Sequence, residues 1–146
     1  MSFIGHEQIL GMIPHAGAIC LLDEVLDWNA VSVRCISRRY REPGNPLRRA
    51  DGTLGTACGI EIAAQAMAVH GRLTAPADGK PVPGYLVSLR NVRLASPMLD
   101  DAAGPLLIEA RLMAGGEGGA SYEFTVSAQD TPWLGGRATV LFGAGR

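Results

Sequence analysis

The sequence predicts one α+β domain in which an antiparallel sheet wraps a single long helix. Three observations carry that expectation. Residues 56–69 are apolar except for Thr56, Glu61 and Gln65, and a helix apolar nearly all round is a buried one. Residues 31–40 alternate, with Val31, Val33, Cys35 and Ile36 set against Ser32, Arg34, Ser37 and Arg39, the period of a half-buried strand. Four further strand-like stretches follow the helix, and many strands around one helix make a sheet folded about it.

The elements follow in order. Residues 5–13 read as a short helical turn ending before Pro14. Residues 19–28 read as a strand carrying Asp23, Glu24 and Asp27, joined to the 31–40 strand by a hairpin at Asn29-Ala30. A loop runs from Glu42 through Pro43-Gly44-Asn45-Pro46 to Gly52. Thr56 is placed to cap the helix, which is expected to reach about His70 and stop at Gly71. Turn residues fill 75–83, and strands are expected at 85–94, 106–113, 121–128 and 136–142. No repeat or linker divides the chain, so residues 1–146 form one domain.

Composition narrows the functional classes. The chain has 146 residues, 47% of them hydrophobic, with 13 Lys+Arg against 14 Asp+Glu. A net charge of -1 gives no whole-chain case for nucleic acid. No apolar run approaches the roughly 20 residues that span a bilayer, so no membrane association is expected. Residues 1–12 lack a basic stretch followed by an apolar one, so no signal peptide is expected. Cys20, Cys35 and Cys58 contain no C-x-x-C pair; buried free thiols in a reducing cytoplasm are the expectation. Lys80 is the sole lysine, and Arg34, Arg38, Arg39, Arg41, Arg48 and Arg49 crowd one stretch with Glu42 the only acid among them. Such guanidinium clusters suit phosphate or an acidic protein partner, and an ordinary solvated strand edge equally explains them.

Glu61 and Gln65 stand four apart and share one helix face. A carboxylate on a buried helix is costly unless partnered, and desolvation favours its protonated form, the form a general acid needs. A purely structural carboxylate, meeting an arginine or a backbone gap, is the alternative. Gly59 costs the helix roughly 1 kcal/mol against alanine, which points to close approach of a strand or a ligand chain. The amides near Gly55 and Thr56, at the positive end of the helix dipole, could polarise a thioester carbonyl.

Three segments make the chain resemble the hotdog-fold 3-hydroxyacyl-acyl carrier protein dehydratases. Pro14-His15 with Leu21-Leu22-Asp23 is similar to that family's opening Pro-His-Arg … Leu-Leu/Val-Asp. Pro43-Gly44-Asn45-Pro46 matches its Pro-Gly-Asn-Pro loop, and Glu61 with Gln65 matches the Glu-x-x-x-Gln of its central helix. Asn45-Pro46-Leu47-Arg48, Gly59-Ile60-Glu61 and Gln65-Ala66-Met67-Ala68-Val69-His70-Gly71 further resemble the dehydratase-like proteins of aryl polyene pigment clusters. The likeness is carried by residues 13–71; beyond them only the strand pattern agrees.

The resemblance implies a hotdog fold, a dimer, and an acyl tunnel at the dimer interface holding a phosphopantetheine-tethered chain on acyl carrier protein. It implies no metal or redox cofactor. A family histidine removes the α-proton while a helix carboxyl from the other protomer helps the 3-hydroxyl leave as water. Carried onto this chain, the carboxyl is Glu61, and Gly44, Asn45, Pro46, Gly55, Thr56 and Gln65 line the substrate. The histidine position two residues before Pro-Gly-Asn-Pro holds Arg41, which stays protonated and cannot be the base. The loop that follows is also longer, with residues 48–52 as the addition. His15 is the remaining candidate base, although a structural hydrogen bonder fits it too. His70 is expected to act at the helix C-terminus. Arg41, Arg48 and Arg49 are expected to dock an acidic carrier protein. Three functions follow: a dehydratase lyase, a non-catalytic subunit supporting an active hotdog partner, or a thioesterase using Glu61. Both a homodimer and a heterodimer fit.

Overall fold

The computed structural model describes residues 4–13, 19–75, 84–116 and 118–142. His15 lies outside them. The elements are β1 (Ile4–Gly5), α1 (His6–Leu10), β2 (Glu24–Trp28), β3 (Ser32–Ser37), α2 (Gly59–Thr74), β4 (Gly84–Leu94), β5 (Leu106–Gly115), β6 (Gly119–Ala128) and β7 (Thr131–Phe142). The strands form one antiparallel sheet in the order β1-β2-β3-β5-β6-β7-β4. The inward residues of β3, β5, β6 and β7, among them Val33, Ile108, Phe124 and Leu134, are buried with Ile62, Ala66 and Val69 of α2 in one core. The expected α+β class is therefore the one observed.

Several boundaries differ from the sequence reading, and three of them have a plain physical reason. The 19–28 strand shortens to β2 because side chains hold its first half. The Leu21 amide donates to Gln65 Oε1, and the Leu21 carbonyl accepts from Ser37 Oγ. The long helix passes through Gly71 and ends at Thr74. Ala75 turns extended (φ -73°, ψ 158°), the conformation that the following Pro76 imposes. β7 starts at Thr131, five residues earlier than residue 136, because Gln129 and Asp130 both take positive φ and close a two-residue hairpin. Pro132 then sits opposite a register shift in β6, where its missing donor is tolerated.

The expectation of a helix sealed all round is corrected. Glu61 is exposed and Ala64 and Ala68 half-buried, with Ala57 exposed in the turn just before α2, so one small-residue face of the helix stays open while the rest packs inward. Short side chains on that face hid the amphipathicity. At Gly59 an added Cβ would lie 2.6 Å from Leu134 Cδ2, so this glycine admits a strand side chain.

Candidate functional site

The open face of α2 carries Glu61 beside Gln65. Gln65 is buried, and its amide ties three things together. Its Nε2 donates to the Ile19 carbonyl at 2.7 Å and to Glu61 Oε2 at 3.3 Å, while its Oε1 accepts from the Leu21 amide at 2.9 Å. With both ends of the amide held, its orientation is fixed, and Glu61 receives a donor from a side chain that cannot turn away. Glu61 itself is exposed in the single chain.

The loop that follows β3 is built around Asn45 and Arg48. Asn45 is buried; its Nδ2 donates to the Tyr40 carbonyl and its Oδ1 accepts from the Leu47 amide. Gly44 and Pro46 beside it are exposed. Arg48 Nε donates to Glu42 O, Nη1 to Gly52 O and to Asp100 Oδ1 at 2.7 Å, and Nη2 to Arg41 O. Its side chain is 13% exposed. The Arg48 guanidinium thus holds its own loop closed. The Arg48 guanidinium also holds the Asp100 carboxyl below the usual carboxylate range, helped by the Leu54 amide. Arg41 is exposed. Arg49 is exposed too, with Nη2 lying 2.6 Å from where a Cβ on Gly55 would stand.

The start of the helix is less open than the sequence reading has it. Thr56 opens a 3-10 turn, Thr56–Cys58, ahead of α2 and does not cap it. It is fully buried, its amide donates to Pro97 O at 2.9 Å, and its Oγ1 has no protein partner. Gly55 is buried beneath Arg49. The loop does meet the helix start, through Cys58 Sγ donating to the Leu47 carbonyl at 3.6 Å. Among the described residues no hydrogen bond joins Glu61 to that loop.

The described histidines are both engaged elsewhere. His6 Nδ1 lies 2.8 Å from Leu22 O. His70 is fully buried between Tyr122 and Asn29 O, which replaces the expected role at the helix C-terminus. Sequence reasoning placed a strand at 85–94 but not its position at the outer edge of the sheet. Its apolar residues fall on both faces of one strand, and their exposure became visible only when β4 proved to be the sheet's edge.

With this geometry in place, the ApeP-like dehydratase family model (ApeP dehydratase) matches residues 7–143. The chain belongs to the ApeP-like dehydratase family. A chain of the dehydratase heterocomplex ApeI:P from Xenorhabdus doucetiae superposes on this ApeP-like protein with TM-score 0.77 and 27% identity, covering 92% of this chain and 90% of that one. A thioesterase from Pseudomonas aeruginosa gives TM-score 0.64 at 14% identity, covering 93% and 91%. A thioesterase from Haemophilus influenzae gives 0.64 at 11%, covering 97% and 92%. These likenesses show that the ApeP-like chain has the hotdog fold. No curated protein matches it. No helix among the described residues is long and apolar enough to cross a membrane.

Proposed function

We propose that the chain is one subunit of a cytoplasmic dehydratase that removes water from a 3-hydroxyacyl thioester on acyl carrier protein, and that a second hotdog chain completes its site. The observation that carries this is Glu61, a carboxylate held by an immobilised Gln65 on the one open face of an otherwise buried helix, in a chain of a dehydratase family. A carboxyl acts best as a general acid where water is excluded. The exposed position of Glu61 in the single chain therefore argues for a covering partner, as does the relative whose structure is a heterocomplex.

In the reaction the α-proton passes to a base, the C2–C3 double bond forms, and the 3-hydroxyl takes a proton from Glu61 and leaves as water. Arg41 cannot be that base, and neither can buried His70, so it is His15 or a group of the second chain. Gly44 and Pro46 border the acyl path, with Asn45 shaping their loop. Arg41 and Arg49 remain the docking candidates for an acidic carrier protein. A supporting, non-catalytic subunit is the second reading, and Arg41 at the family's histidine position favours it.

The experiment measures enoyl product from a 3-hydroxyacyl carrier-protein substrate, using the chain alone and with a hotdog dehydratase partner. Loss of at least about 100-fold in rate for Glu61→Gln supports the acid role. Full activity of that variant in the mixture assigns the chain to the supporting reading. Free thiol released without any enoyl product identifies a thioesterase instead.

A further inference from the structure

Resting on that subunit reading, we infer that Arg90 and Arg93 of β4 select, as edge-strand partner, a different hotdog chain with carboxylates on its facing strand, and disfavour a second copy of this chain. β4 is the outermost strand and pairs on one side only, with β7. Leu86, Leu89 and Leu94 stand opposite Val140, Ala138 and Leu134, all of which face the helix. They share that inner side yet remain 39%, 40% and 45% exposed. A long edge strand with an open apolar row is a template for pairing with another sheet.

On the outer side of the same edge every charged residue is cationic. Arg90 and Arg93 are the only charged residues of β4, both exposed, and Arg90 stands directly opposite Arg137 of β7. Like charges placed opposite each other destabilise a ladder. By contrast Arg34, Arg38, Arg39 and Arg48 each have a carboxylate within 3.0 Å. Among the described residues Arg90, Arg93 and Arg137 have no ion pair, although Glu123 stands opposite Arg137. Gly135, opposite Arg93, carries no side chain, and a hollow of about 1110 Å³ opens between Arg93, Arg137, Trp133 and Thr125. A strand laid along β4 brings its own outer side chains against these guanidiniums. A strand bearing Asp or Glu there satisfies them, whereas the β4 of a second copy carries no carboxylate and brings arginine as its only charge.

The probe is this chain with its edge charge reversed, Arg90→Glu/Arg93→Glu, both surface positions whose change leaves the circular dichroism spectrum unaltered. Wild type, variant and a 1:1 mixture are compared by native mass spectrometry and sedimentation velocity at low ionic strength. The expected result is a mixed dimer at least about tenfold tighter than either self-dimer, an advantage that shrinks in about 0.5 M salt. Leu89→Arg in the wild-type chain should abolish the mixed dimer. A wild-type self-dimer as tight as the mixed one, the absence of any mixed dimer, or a mixed dimer that survives Leu89→Arg overturns the inference. A chain that sorts by charge in this way yet yields no enoyl product with any hotdog partner overturns the dehydratase reading and leaves this one standing.

Discussion

His70 of α2 meets Tyr122 of β6 edge-on, with ring centroids 5.6 Å apart and Nδ1 2.8 Å from the phenolic oxygen. Nε2 lies 2.9 Å from the Asn29 carbonyl, which can only accept. The ring is therefore protonated at Nε2, and Nδ1 accepts from the Tyr122 hydroxyl. One side chain thereby joins the helix, the sheet and the β2–β3 turn.

Removing it leaves the buried Tyr122 hydroxyl unpaired and takes a donor from the Asn29 carbonyl in the exposed turn. His70→Leu is expected to lower stability by about 2–4 kcal/mol, read as a fall in the urea midpoint. Burial holds the His70 imidazolium pKa below its ordinary 6.5. The folded protein then binds fewer protons than the unfolded chain, so stability rises with pH. The His70 contribution is complete above about pH 6.5 and is lost as pH falls below it. Urea midpoints should decline from pH 7.5 to 5.5 in the wild type and decline less in His70→Leu.

Gln65 separates fold from chemistry at the site. Gln65→Leu strands the Leu21 amide and the Ile19 carbonyl and frees Glu61 from its donor. It should cost about 2–3 kcal/mol in stability. Glu61→Gln, at an exposed position, should stay within about 0.5 kcal/mol of wild type. Equal destabilisation of the two variants in urea would make Glu61 a structural residue.

Arg48 is the strongest test of the loop. Lysine keeps the charge but cannot reach Glu42, Gly52, Arg41 and Asp100 at once, so Arg48→Lys should lower stability by about 1–2 kcal/mol. Asp100, whose carboxyl Arg48 keeps below its usual 3.8, contributes stability present above that value and lost as pH falls through the lower folded value. The acid limb of the stability profile should therefore move to higher pH in Arg48→Lys. Arg49→Glu should leave thermal stability nearly unchanged and weaken acidic carrier protein in a salt-dependent way.

What the sequence made legible was periodic or local. The alternation of Val33 and Cys35, the Asn29 turn and the Glu61–Gln65 spacing all reflect geometry within a few residues, and each appears in the structure. What stayed hidden was long-range. Arg48 reads as a free charge until Asp100, 52 positions away, is folded against it. Glu61 reads as buried because alanines beside it give no polar signal that their face is open. Thr56 reads as a cap because only tertiary packing places its amide on Pro97 O.

Gly59 shows the same conflict between local and tertiary demands, and it can be measured. Alanine at 59 favours the helix by up to about 1 kcal/mol, but its Cβ would stand 2.6 Å and 3.2 Å from the two methyls of Leu134. Leu134 is itself buried, and overpacking such a site costs about 1–3 kcal/mol. Gly59→Ala alone should therefore lower the urea midpoint. In the background of Leu134→Ala, which removes both methyls, the same substitution should raise it, giving a coupling energy of about 1–3 kcal/mol in the double-mutant cycle. Additive effects would mean that Leu134 can turn aside, and that the glycine is needed at this position for something other than the strand it meets.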